Sequence, residues 1–133
     1  MPRPSVWLIR LALLHLVAAG LLGAWLLMAK GAVVPPIPGG VVAHAAMALI
    51  GWLVQMTVGV GYWILPKHAA GPERGPAWAP WATLGLLNGG IVLAALGAWI
   101  PGGTGPGLAL AGLGLVVFVA TAGPRVKAFG ADR

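Results

Sequence analysis

One long apolar stretch, residues 41–66, constrains this chain more than any other feature; it reads VVAHAAMALIGWLVQMTVGVGYWILP. A helix rises about 1.5 Å per residue, so about 20 residues cross the ~30 Å hydrocarbon core of a bilayer. The stretch is therefore long enough to span a membrane. It nevertheless contains His44, Gln55 and Tyr62. Such polar side chains raise the free energy of a membrane helix unless they face protein, water or a ligand.

These polar residues fall on one face of the predicted helix. At about 100° per residue, three positions lie within about 20° of the direction of His44: Gly51, Gln55 and Tyr62. A narrow polar stripe on an otherwise apolar helix is expected to face the protein interior. Because neutral imidazole is a good metal ligand, His44 is the best candidate for a ligand-binding residue.

Composition places the rest of the chain in lipid as well. Of the 133 residues, 59% are hydrophobic and 8% are charged, whereas soluble domains average about 25% charged residues. The chain contains no cysteine. This excludes disulfides, thiolate metal sites, iron–sulfur clusters and covalently attached c-type haem.

Proline and glycine residues divide the chain into four apolar segments, residues 5–29, 41–65, 81–100 and 107–123. The first segment is longer than the ~7–15-residue core of a signal peptide, and no A-x-A cleavage pattern follows it, so we interpret it as a retained span. Four spans joined by short loops predict an all-α fold. The expected architecture is a single integral membrane domain, residues 1–133, folded as an up-down four-helix bundle.

The basic residues predict how the bundle is oriented. Seven of the eight lysine and arginine residues fall on one side of the four spans, and Lys30 alone falls on the other. Because cytoplasmic loops carry the excess of lysine and arginine, both termini are predicted to lie in the cytoplasm, in a multi-pass protein of the cytoplasmic membrane. The net charge of +6 is thus a topology signal, and nucleic acid is not an expected partner.

Two segments resemble a known family. HAAMALIGW (44–52) is followed by GVGYWILPK (59–67). They resemble the patterns H-x-H-L-x-x-x-G-W and G-x-x-Y-x-x-x-P-[RK] of short membrane proteins related to subunit I of the haem–copper oxygen and nitric-oxide reductases. Trp81 and the Asn88-Gly-Gly run resemble the third helix of the same family more loosely. The good match covers about 25 residues, and the four-helix layout is compatible with it.

The resemblance implies that His44 is an axial ligand of haem b, because a histidine of the second helix ligates the low-spin haem in the large enzymes. It also implies that the haem propionates point outward, where Lys30 could pair with one. The second histidine of the pattern is replaced by Ala46, and no three-histidine copper site is present. Complete oxygen reduction is therefore not expected.

The other histidines do not complete a two-histidine site within one subunit. His15 and His44 differ in predicted depth by roughly 15 Å. His68 lies beyond the opposite end of the second span. The sixth ligand could therefore be Met28, which lies at nearly the depth of His44, or a residue of a neighbouring subunit, or the position could stay open.

Four further candidates each have a structural and a cofactor-binding interpretation. Lys30 is either a propionate partner or a residue that snorkels at the helix end. Trp52 is either core packing or a wall of a cofactor pocket. Gln55 and Asn88 either contact the cofactor or are structural, in which case Gln55 and Tyr62 hydrogen-bond across helices to Asn88.

Two functions remain open from the sequence. The first is a small integral membrane haem b protein that serves electron transfer or binds haem or a diatomic gas. The second is a haem-free accessory or assembly protein of a respiratory complex. A proton-coupled transporter is disfavoured, because Glu73 and Asp132, the only two acidic residues, fall outside the predicted spans. One axial histidine in a thin bundle predicts a homo-oligomer, with a respiratory-chain protein as the candidate redox partner.

Overall fold

The computed structural model describes residues 1–68, 74–98 and 102–126, and these residues form four helices and no strand. The helices are α1 (Arg3–Lys30), α2 (Gly40–Ile64), α3 (Ala79–Ala95) and α4 (Thr104–Ala122). The predicted all-α fold is confirmed for this part of the chain. Glu73, the last two residues of the predicted third span and residues 127–133 lie outside the described residues.

Three of the helices are long and apolar enough to cross a membrane: Arg3–Lys30, Gly40–Ile64 and Thr104–Arg125. The remaining helix, α3, is apolar but has 17 residues, at the lower limit of the ~17–25 that a span requires. Its α-helical turns end at Ala95 and tighten into a 3₁₀ turn over Leu96–Ala98. The four predicted segments thus correspond to four helices, of which α3 ends earlier than predicted.

The middle of α2 departs from α-helical geometry. Residues Ala46–Val54 form a π-helix, whose last turn is closed by a bond from the Gln55 N–H to the carbonyl of Ile50, five residues earlier. α-Helical turns lie before and after it, at Gly40–Ala45 and Gln55–Ile64. π-Helical turns are rare and often lie at functional sites. The sequence predicts a uniform α-helix here, so this stretch is a finding of the structure.

Helices α1 and α2 form a first hairpin. Gly51 of α2 packs against His15 of α1, whereas Gly59, further along α2, packs against the earlier residue Leu8. The two helices are therefore antiparallel. At each of these points a glycine of α2 receives a residue of α1, which brings the helices close together.

Helices α3 and α4 form a second, antiparallel hairpin in which the backbones touch. A Cβ atom built on Gly90 would lie 2.5 Å from the amide nitrogen of Ala111 and 2.5 Å from the carbonyl oxygen of Gly107. A Cβ atom built on Gly107 would in turn meet the backbone of Ala94. Small residues at these positions allow an approach that a side chain would prevent.

The two hairpins meet in a small hydrophobic core. It contains buried residues of all four helices: Leu8, Val58, Leu87, Ile91 and Ala111. α2 and α4 run in the same direction, since Gly61 lies beside Phe118 and Tyr62 lies beside Arg125. The arrangement is therefore up-down-up-down, and it places the start of α2 next to the end of α1.

Candidate functional site

The polar stripe of α2 faces the protein. Its members are buried or half-buried: His44, Gly51, Gln55 and Tyr62. Two histidines and two glycines fit together in the first hairpin. His44 of α2 lies against Gly23 of α1, and His15 of α1 lies against Gly51 of α2. Each imidazole thus occupies the space that a glycine leaves on the opposite helix.

The His44 ring is held at two points. A Cβ atom on Gly23 would lie 2.9 Å from Cε1 and 3.2 Å from Nδ1 of the ring, so the ring fits because residue 23 has no side chain. His44 Nδ1 donates a hydrogen bond to the backbone carbonyl of Ala19 at 2.9 Å. A carbonyl only accepts hydrogen bonds, so this contact places the proton of the neutral ring on Nδ1.

The other ring nitrogen, Nε2, therefore carries the lone pair of the neutral His44 ring. Among the residues that the structure describes, no group hydrogen-bonds to it. Metal-binding histidines almost always use this arrangement: one ring N–H is held by a carbonyl, a carboxylate or water, and the other nitrogen binds the metal. His44 thus has the tautomer of a metal ligand.

A cavity of about 690 Å³ lies beside His44, between the second half of α1 and the start of α2. Its wall is apolar except for His44 and Lys30, and the apolar part includes Leu26, Ile37 and Val41. Cofactor pockets typically measure ~300–1,000 Å³ and combine apolar walls with a few placed polar groups. The structure therefore brings two predicted site residues, His44 and Lys30, to one cavity.

The described wall of this cavity offers one imidazole, that of His44. Within residues 1–68, 74–98 and 102–126, no three His, Cys, Asp or Glu side chains form a cluster that could hold a metal. A haem iron is already held by its porphyrin and takes only its axial ligands from the protein. One histidine is therefore enough to ligate a haem iron, but it is too few to hold a bare metal ion.

Two other predicted site residues lie away from this cavity. Met28 is 41% exposed on α1, and the wall of the cavity includes its neighbours Leu27 and Ala29 but not Met28 itself. Trp52 is half-buried in the π-helical stretch and does not line the cavity either. His44 is therefore the one candidate axial ligand on the described wall.

Gln55 and Asn88 bond to backbone groups rather than to each other. Gln55 Nε2 donates to the carbonyl of Leu8 across the first hairpin at 3.1 Å. Asn88 Nδ2 donates to the carbonyl of Leu84 on its own helix at 2.8 Å. The predicted bond between the two amides is therefore not formed. Gln55 joins α1 to α2, and neither amide lines the cavity beside His44.

His15 lies too deep to share an iron with His44. Because His44 sits at Gly23, the depth difference between the two histidines equals that between His15 and Gly23, about 12 Å at 1.5 Å per residue. His15 Nδ1 donates to the carbonyl of Leu11 on its own helix at 2.8 Å. The estimate from the sequence, roughly 15 Å, also placed the two histidines too far apart to share one iron.

Arg125 has a role that the sequence did not predict. Its side chain is 1% exposed and donates to three carbonyls at the end of α2: Nε to Pro66 at 2.8 Å, and Nη2 to Tyr62 at 3.0 Å and Leu65 at 2.7 Å. Helix C-termini leave carbonyls unsatisfied and carry partial negative charge. Arg125 therefore caps α2 from just beyond the end of α4.

The sequence matches no protein-family model and no curated protein, and the fold matches no solved structure. The functional conclusion therefore rests on the residues of this chain and their geometry.

Proposed function

We propose that this chain is a small integral membrane protein that binds haem b through His44 and is related to subunit I of the haem–copper reductases. The hydrogen bond from His44 Nδ1 to the Ala19 carbonyl carries the proposal, because it leaves Nε2 as the ligand atom of a residue that lines an apolar cavity. When bound, haem would supply one-electron chemistry and a coordination position for a diatomic gas.

The residues around His44 fit this group. Apolar residues, among them Leu26, Leu27 and Ile37, form most of the wall that would surround the porphyrin. Lys30 lies on the same wall, and its ammonium would pair with a propionate carboxylate in a charge-assisted hydrogen bond. Lys30 is also the one lysine or arginine on the predicted outer side, so no other cation of the chain competes for that carboxylate.

Of the two uses of haem, the cavity favours gas binding over electron transfer. Globins bind gases with one protein axial ligand, whereas cytochromes c use a histidine and a methionine. Met28 is not part of the described wall, so His44 would hold the iron from one side within the subunit. A second copy of the chain or a respiratory-chain partner would have to supply any further ligand.

We place the haem near the outer face of the cytoplasmic membrane. Three helices of spanning length support insertion, and the seven-to-one split of basic residues supports cytoplasmic termini. Because the chain has no cysteine, single cysteines can test this. Val33→Cys should react with an impermeant thiol reagent added outside, and Ala77→Cys should not. The reverse labelling pattern would refute the orientation.

The visible spectrum of the purified protein tests the haem proposal. We expect a Soret band whose absorbance per protein is lost or strongly shifted in His44→Ala. His15→Ala and His68→Ala serve as matched controls and should leave the spectrum nearly unchanged, because both histidines lie far from the cavity. Carbon monoxide should bind to the reduced protein if the sixth position is open. Full, unshifted haem in His44→Ala would refute the ligand assignment.

A haem-free accessory or assembly protein of a respiratory complex is the alternative. It predicts a flat visible spectrum even after the folded protein has been incubated with haemin and a reductant and the unbound haem has been removed. In that case the Ala19 hydrogen bond would serve only to hold α2 against α1.

A further inference from the structure

The connection between α1 and α2 forms one side of the proposed haem cavity. Pro36 and Ile37 of this connection belong to the cavity wall. A Cβ atom built on Gly40 would lie 2.8 Å from Leu26 Cδ2 and 3.4 Å from Ile37 Cβ, so the connection packs onto α1 above this glycine. We call residues 33–38 the outer wall, because they lie at the end of the bundle that is predicted to face outward.

The middle of the outer wall is held to α1 by a single hydrogen bond. At its start, the Val33 N–H donates to the Met28 carbonyl at 2.9 Å, which continues the turn that ends α1. The two prolines that follow have no N–H to donate. Within the described part of the chain, residues 34–36 take part in one hydrogen bond, which Trp25 Nε1 donates to the Pro35 carbonyl at 3.0 Å.

Two residues with left-handed backbone conformation flank the outer wall. Ala32 has a φ of 58° and Gly39 a φ of 67°. Glycine adopts this conformation freely, whereas alanine adopts it at a cost in free energy. The segment between them contains three prolines, at 35, 36 and 38, which fix φ and favour an extended chain. A stiff segment between two sharp turns can move as one body.

We propose that Trp25 is a positioning residue, whose hydrogen bond to Pro35 holds the outer wall closed over the cavity. The inference rests on the proposed function, because it makes this wall the route by which haem enters and leaves. Trp25 itself is not on the cavity wall, so it acts through the segment that it holds. On the other side of the cavity, His44 meshes with Gly23 of α1, and opening there requires the two helices to separate. Opening the outer wall breaks one hydrogen bond.

The first measurement needs no haem. The chain has no cysteine, so Ala29→Cys places a single thiol at a half-buried position of the cavity wall. In haem-free protein in lipid nanodiscs, Trp25→Phe keeps the ring and removes the donor, and it should speed labelling of this thiol by a water-soluble reagent about 5-fold, the equivalent of one hydrogen bond. Val33→Cys is the control, because Val33 is 72% exposed and should be labelled equally fast with and without Trp25→Phe. Equal labelling of Ala29→Cys in both backgrounds overturns the proposal.

The second measurement follows the transfer of haem from the loaded protein to excess apomyoglobin by visible absorbance. Trp25→Phe should release haem about 5-fold faster with a nearly unchanged melting temperature, because the bond is exposed. Trp63→Phe is the matched control, since Trp63 is 46% exposed and makes no hydrogen bond with the described residues. Equal release from both variants overturns the proposed role of Trp25. If no variant binds haem, the haem proposal is refuted, and the labelling rates alone decide whether Trp25 holds the wall.

Discussion

The two hairpins use glycine differently. In the first hairpin, the glycines at 23 and 51 each receive a histidine ring from the opposite helix. In the second hairpin, the glycines at 90 and 107 receive backbone atoms of the opposite helix. A ring can turn when its space is filled, whereas a helix backbone can only move away as a unit. The first hairpin therefore determines where the two imidazole rings lie, and the second determines whether the bundle holds together.

The largest expected effect is on the second hairpin. Gly90→Ala would place a Cβ atom 2.5 Å from backbone atoms of Gly107 and Ala111, so α3 and α4 must separate, at a cost of about 3 kcal/mol. Gly85→Ala, on the same helix, meets nothing within 4 Å and should gain about 0.5–1 kcal/mol from helix propensity. Thermal unfolding in detergent, followed by circular dichroism, measures both. Equal melting temperatures would disprove the backbone contact.

The next effect tests how independent the hairpins are. Arg125→Gln removes the guanidinium that joins α4 to the last carbonyls of α2. Hydrogen bonds to a charged group are worth ~1.5–3 kcal/mol, and we expect a net loss of about 2 kcal/mol in unfolding free energy. Arg3→Gln is the control, since Arg3 is exposed, and it should change the unfolding free energy by less than about 0.5 kcal/mol. Similar losses in the two variants would exclude the cap.

A glycine of the first hairpin should affect the ligand more than the fold. Gly23→Ala forces the edge of the His44 ring to move and should reduce the Soret absorbance per protein strongly, while unfolding free energy falls by about 1 kcal/mol. Gly20→Ala, on the same helix, meets nothing within 4 Å and should bind haem normally. Normal haem content in Gly23→Ala would show that the ring position does not matter for binding.

The smallest effect concerns the polar stripe. Gln55→Leu removes the hydrogen bond to the Leu8 carbonyl together with the Gln55 Oε1 atom, which is buried without a partner among the described residues. Interhelical hydrogen bonds in membranes average about 0.6 kcal/mol, and the loss of the unpaired oxygen offsets part of that. We expect a change below about 1 kcal/mol by the same unfolding measurement. A loss above about 2 kcal/mol would make Gln55 a central element of the first hairpin.

The helices could be predicted from the sequence because their signals are local. Hydropathy located the segment at residues 5–29, which forms Arg3–Lys30, and proline and glycine located the turns. The end of α3 is the exception. There Gly97 packs tightly against Thr104 of the next helix, a contact between segments that hydropathy alone does not reveal.

The site could be predicted only in part, because it depends on how two helices mesh. The stripe singled out His44 as the ligand candidate, and Lys30 does line the cavity with it. Met28 was chosen by depth alone, yet His44 lies at Gly23, five residues or about 7.5 Å from Met28 along α1, and Met28 is not on the wall. Asn88 was expected to bond to Gln55 across helices, but its amide bonds to the Leu84 carbonyl of its own helix.

The π-helical stretch has a consequence for how this sequence can change over generations. A helix that already contains wide turns at Ala46–Val54 can lose one residue there and return to α-helical geometry without breaking its run of backbone hydrogen bonds. The wide turns accommodate an extra residue, so its loss would leave the α-helical turns before and after them in nearly the same relative rotation. A single codon deletion within Ala46–Val54 would thus keep His44 at the Ala19 carbonyl and Gln55 at the Leu8 carbonyl. The segment between these two polar contacts can in this way change its length while both contacts are kept.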